Sequence, residues 1–131
     1  MGILGVSNPA PGAGKGLNYI GDHIFGYSGQ VLVGDTTTTL IETIMGSGYA
    51  VLELDFGTGS VSSRDMLWEV LIDEQKVYGY VSSGTNQAGQ NPANRIKILV
   101  PGYAKFKITS ENQTDTNTEN QFVVITGRVY A

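Results

Sequence analysis

The chain has 131 residues, enough for one domain of ordinary size and too few for two independent cores. Charged residues make up 15%, against about 25% in typical soluble domains, and the formal net charge is -4, so neither nucleic acid nor a membrane is expected as a partner. The absence of Cys excludes disulfides, thiolate metal sites and a cysteine nucleophile, and no run approaches the roughly 18 apolar residues of a spanning helix.

Residues 1–18 hold Gly2, Gly5, Pro9, Pro11, Gly12, Gly14 and Gly16, a composition that cannot bury enough apolar surface to order itself. They read as a flexible Gly/Pro-rich arm ahead of a β-domain over 19–131. Removing the arm is expected to spare the fold and to weaken assembly. No basic segment followed by an apolar run marks a cleaved leader.

From Tyr19 onward, short apolar runs alternate with Gly, Asn, Ser and Asp clusters, the pattern of an all-β sandwich or barrel. About eight strands are predicted: Tyr19 to Tyr27 and Gln30 to Val33, which can be one bent strand, then Thr37 to Met45, Tyr49 to Phe56, Met66 to Asp73, Val77 to Val81, Arg95 to Val100, Ala104 to Thr109 and Phe122 to Tyr130. Leu40, Ile41, Ile44 and Met45 also fit helical spacing, with Asp35 as N-cap and Gly46 as stop. The four β-branched residues Thr36 to Thr39 favour a strand there.

Strict alternation places Ala50, Leu52, Leu54 and Phe56 inward. Met66, Trp68, Val70 and Ile72 point inward by the same rule, leaving Leu67 and Leu71 on an outer face that something else covers. At Pro101-Gly102 a tight hairpin would mix core with charge by setting Ile98 against Lys105, so a corner from one sheet to the other is expected. Pro-Gly at the centre of that turn favours type II geometry. Two polar connections, 82–94 and 110–120, are long for a compact domain and read as tips that are mobile or touch a partner.

Chemical motifs are sparse. Gly12-Ala13-Gly14-Lys15-Gly16 lacks the first Gly and the Ser or Thr of a phosphate loop, with Pro9 and Gly16 in those places. His23 is the only histidine, and Asp22 beside it would point to the opposite face of a regular strand. The acids are dispersed, with no paired-carboxylate or calcium-loop pattern. No enzyme activity, metal or cofactor is therefore expected. Asn112-Gln113-Thr114 fits the glycosylation pattern by chance.

Two groups are candidate contacts. Arg95, Lys97, Lys105 and Lys107 are half of all the basic residues, either a solvated face or a positive stripe for an acidic neighbouring subunit. Tyr78 and Tyr80, read as sharing a strand face with Lys76, are candidates for stacking on a sugar, the mark of a carbohydrate- or receptor-binding module.

Leu40-Ile41-Glu42-Thr43, Gly46-Ser47-Gly48-Tyr49-Ala50-Val51-Leu52-Glu53-Leu54, Ile98-Leu99-Val100-Pro101-Gly102 and Val124-Ile125-Thr126-Gly127-Arg128-Val129-Tyr130 resemble strand sequences of small jelly-roll virion proteins of tailed bacteriophages. The resemblance is to capsid decoration, or cement, proteins and covers about residues 40 to 131. It implies an antiparallel jelly-roll sandwich on the capsid exterior, assembled in the host cytoplasm, commonly a homotrimer, with the major capsid protein as partner. It brings no catalytic residue. Leu67, Leu71 and the four cations are the contacts expected in that role.

Overall fold

The computed structural model describes residues 16–58, 64–82 and 95–131. Ten strands follow in chain order: β1 (Asn18–Ile20), β2 (His23–Tyr27), β3 (Val31–Val33), β4 (Thr38–Ile44), β5 (Tyr49–Thr58), β6 (Met66–Ile72), β7 (Gln75–Ser82), β8 (Ile96–Val100), β9 (Lys105–Asn112) and β10 (Glu119–Tyr130). All pairings are antiparallel. One sheet runs β1-β2-β10-β5-β8 with β3 also on β10, and the other runs β4-β9-β6-β7.

Successive strands from β3 to β6, and from β7 to β10, cross from one sheet to the other, while β1-β2 and β6-β7 stay within a sheet as hairpins. This is the jelly-roll order. The second half of the first predicted run and the whole of the second form one interrupted strand along β10, because β2 and β3 pair with it in succession. Their break at Ser28-Gly29 is held by Ser28, whose backbone N–H donates to the Val123 carbonyl and whose Oγ accepts from the Val123 N–H.

Tyr19 to Tyr27, however, is a hairpin and not one strand. Ile20 pairs with His23 across the two-residue loop Gly21-Asp22, with φ +63° at Gly21. A positive φ at the first loop residue is the type II′ requirement, and glycine meets it without a Cβ clash.

The core lies between the sheets. Ala50, Leu52, Leu54 and Phe56 of β5 face Met66, Trp68 and Val70 of β6, all essentially buried, and Phe56 packs against Trp68 at 5.9 Å between ring centroids. Each such large side chain withdrawn from water contributes about 1.5–3 kcal/mol before entropy is counted. In β4 a bulge between Thr39 and Ile41 lets the consecutive Leu40 and Ile41 both point inward. That bulge explains why the segment mimicked helical spacing.

The predicted arm falls mainly outside the described residues, but its end does not. Leu17 is fully buried in the core and Asn18 opens β1, so cutting all 18 residues would remove core packing along with the arm. The connection at 82–94 also lies outside the described residues, apart from Ser82, the last of β7. The second polar connection shrinks to 113–118, because β9 extends through Asn112 and β10 begins at Glu119.

The corner after β8 joins the two sheets as expected. Its geometry differs from type II: the left-handed residue is Tyr103, φ +62°, not Gly102. Gly102 is needed for proximity, since a Cβ there would come within 2.6 Å of the Ser47 carbonyl oxygen.

Candidate functional site

The two sheets present outer faces of different chemistry. On the β4-β9-β6-β7 face the outward side chains form a web of ion pairs. Lys105 Nζ contacts Glu42 at 2.8 Å and Glu74 at 2.7 Å, Lys107 Nζ contacts Glu74 at 3.1 Å, and Lys76 Nζ contacts Glu69 at 3.1 Å. Hydrogen bonds from Lys105 and then Lys107 hold the Glu74 carboxyl below its usual range, and Glu42 and Glu74 raise Lys105.

Glu74 is placed by the β6-β7 turn, where Asp73 and Glu74 adopt φ +51° and +64°. Two left-handed non-glycine residues cost on the order of 1–2 kcal/mol each. The turn offsets this by docking on β9: the Asp73 N–H donates to the Lys105 carbonyl, and Asp73 Oδ1 accepts from the Lys105 N–H.

The candidate contacts divide accordingly. Lys105 and Lys107 lie on this face, whereas Lys97, opposite Glu53 in the β5-β8 register, and Arg95, just before β8 and 3.4 Å from Asp55, lie with the other sheet. The four cations do not make one stripe, because the corner at Pro101 carries the chain from sheet to sheet between the two pairs. Leu67 and Leu71 point outward on β6, as read, and are half-buried within their own sheet.

Tyr78 and Tyr80 do not share a face with Lys76. A bulge between β6 and β7 sets Tyr78 opposite Val70 and Lys76 opposite Leu71, so the tyrosines turn inward. Tyr78 lies parallel to Phe56 at 6.3 Å, and both tyrosines pack against the core. Burial, and then neighbouring Tyr80, raises the Tyr78 hydroxyl. Tyr78 thus spends one ring face on Phe56, and both tyrosines lie toward the core instead of on an outward face with Lys76.

The β1-β2-β10-β5-β8 face carries eight of the twelve large hydrophobic side chains exposed among the described residues: Ile20, Phe25, Tyr27, Leu32, Tyr49, Leu99, Val124 and Tyr130. The other face has Ile44, Val77 and Val81, and Tyr103 sits at the corner. Toward one end, Val124 pairs with Tyr27 and Tyr27 meets the Phe122 ring edge-on at 6.2 Å; toward the other, Tyr49 stacks on Tyr130 at 5.3 Å. Period-two alternation alone could have found this set once the inward rows were assigned.

Between these ends a shallow groove of about 220 Å³ is lined by Val51, Glu53, Lys97, Thr126, Arg128 and Tyr130, with Gly127 also lining it. An adjoining hollow of about 160 Å³ shares Glu53 and Thr126 with it. A Cβ at Gly127 would approach the Val51 carbonyl oxygen to 2.2 Å, so β5 and β10 can lie this close only with glycine there. Charges along this face are largely paired within it, Arg95 with Glu53 and Asp55, and Arg128 with Asp22 at 2.8 Å. The bond from Arg128 lowers the Asp22 carboxyl.

His23 Nε2 lies 3.8 Å from Asp22 Oδ1, a proximity that regular strand geometry would forbid. It arises because Asp22 sits in the turn. Both are about half exposed, and the Asp22 carboxylate is engaged by Arg128. Among the described residues no three His, Asp or Glu side chains are grouped to hold a metal.

The 113–118 tip is organised by Asn112. Its Nδ2 donates to Asp115 Oδ1 and the Asn117 carbonyl, and its Oδ1 accepts from the Thr114 and Asp115 N–H groups. Arg64 bridges Asp115, at 2.8 Å, and the buried Glu119. Burial raises the Asp115 carboxyl, but the bonds from Arg64 and Asn112 bring it below its usual range. The buried, bonded Asn112 amide leaves the glycosylation pattern no accessible acceptor in the folded chain.

No protein-family model matches the chain, and no curated protein matches it. Among solved structures, it is similar to the infectious bursal disease virus VP2 subviral particle at 13% identity and TM-score 0.37, covering 93% of this chain and 38% of that one. The T13 particle of the same virus gives 14% identity and TM-score 0.38, with 91% of this chain and 36% of that one covered. The Gx strain structure gives 14%, 0.37, 92% and 38%. The chain thus spans under two-fifths of the length of these neighbours, and similarity this low transfers no activity or partner.

Proposed function

We propose that this chain is a non-catalytic structural virion protein, most specifically a capsid decoration protein that docks on the exterior of a tailed-phage head. In this reading the partner is the major capsid protein, the protein assembles on heads in the host cytoplasm as a homotrimer, and it stabilises contacts between capsid subunits. Strand sequences resembling those of decoration proteins support the family, and the jelly-roll order agrees with them in fold.

The observation that carries the proposal is the concentration of exposed apolar side chains on the β1-β2-β10-β5-β8 face. Apolar side chains left in water at both ends of this face gain from contact with a partner, and the Arg95 and Arg128 pairs fit the polar rim around them, as expected of a protein-binding face. Co-sedimentation with undecorated icosahedral heads tests this. Saturable binding is expected, and absence of binding under any salt condition contradicts the proposal.

A further inference from the structure

An unprotected edge strand offers a row of free N–H and C=O groups to another strand. Among the described residues five strands lie at sheet edges, and four of them carry a device against such pairing. β1 and β3 have only 3 residues each, β4 has its bulge at Leu40, and β7 is bulged opposite Val70/Leu71. β8 differs. It is regular through its 5 residues and, among the described residues, pairs only with β5.

A second feature coincides with this edge. The inward rows at the middle of the sandwich are fully buried, but Ile96 and Ile98 of β8, and Tyr78 and Tyr80 of β7, are only partly buried. Among the described residues the inward row is thus least covered along the β7/β8 side, where β8 lies.

We propose that β8 is a pairing edge whose occupant is β8 of a second copy of this chain, joined antiparallel about a two-fold axis at Ile98. The sequence of β8 is self-complementary in that register. Ile96 meets Val100, and Ile98 meets Ile98, which continues the inward apolar row from one copy into the next. Lys97, the one charge of the strand, meets the outward Leu99, 55% exposed in the single chain. Like charges never stand opposite each other, and the lysine stem lies against an apolar partner. The pairing is isologous, so each contact occurs twice, and the second copy covers Ile96 and Ile98 at that side.

This two-fold pairing is a contact of the free chain, separate from the homotrimer proposed on heads and independent of shell binding, and is tested on the isolated full-length chain by sedimentation equilibrium with two substitutions at one position. Leu99→Lys puts like charges opposite each other twice per pair and weakens association. Leu99→Glu puts Glu opposite Lys97 and strengthens it, so the two variants differ at least about tenfold in dissociation constant. A generic apolar contact would be weakened by both. Ile44→Lys, on the edge strand β4, serves as control and leaves association unchanged. A monomer at every concentration, an oligomer indifferent to both Leu99 variants, or equal weakening by both would overturn the proposal.

Discussion

The two outer faces are built from the same strand chemistry and end up opposite in character. On the β4-β9-β6-β7 face, Lys105, Lys107, Glu42 and Glu74 are held by a turn that accepts left-handed strain to bring Glu74 over two lysines. That surface satisfies itself. On the other face, paired charges flank Phe25, Tyr27, Val124, Tyr49 and Tyr130, whose apolar area stays in water. Strand content therefore says little about which side of a jelly roll meets a partner; what matters is whether the outward residues find their partners within the sheet.

The sharpest way to break this contrast is by charge insertion. Tyr27→Lys with Val124→Lys is expected to weaken head binding by about 100-fold or more, as for truncation at an interface hot spot, while circular dichroism stays unchanged. Ile44→Lys with Val77→Lys, on the self-satisfied face, should leave binding within about threefold. Gly127→Ala comes next in size. Its Cβ must displace β5 at the Val51 carbonyl, and the strain should cost about 1–3 kcal/mol in urea denaturation.

A smaller effect sharpens the other side of the comparison. Lys105 and Lys107 hold the Glu74 carboxyl below its ordinary range, so its contribution to stability is present above the ordinary glutamate pKa and is lost as pH falls through the lowered folded pKa. Glu74→Gln should remove this contribution and flatten the acid limb of the stability profile, with little change in head binding. Smallest of all, Arg95→Ala breaks exposed pairs with Glu53 and Asp55 and should shift stability by less than about 1 kcal/mol.

Much of the fold was legible because its signals were local. The alternation in Tyr49 to Phe56 and Met66 to Ile72 assigned the inward rows correctly, and the Pro101-Gly102 corner announced a change of sheet. What misled were positions where one residue changes the phase. Gly21-Asp22 folds a single run into a hairpin, whereas the β4 bulge only lent helical spacing to a segment read as the strand it is. The β6-β7 bulge turns Tyr78 and Tyr80 away from Lys76. Bulges are set by pairing with a distant strand, so their phase cannot be counted from one run.

The candidate site was less legible for the same reason. Clustering of Arg95, Lys97, Lys105 and Lys107 in sequence suggested one stripe, whereas the corner between them sends the two pairs to different sheets. The acids that engage them lie far away in the chain, Glu53 and Asp55 on Arg95, Glu42 and Glu74 on Lys105, and Glu74 on Lys107. The apolar face, by contrast, is assembled from residues between Ile20 and Tyr130 that no single segment displays together.

The most direct test of the contact face is a hydroxyl-radical footprint of the chain bound to undecorated heads. Phe25, Tyr27, Leu32 and Tyr130 should become protected, while Ile44, Val77 and Tyr103 keep the reactivity of the free chain. Protection of Ile44 and Val77 with Tyr27 and Tyr130 still reactive would contradict the account.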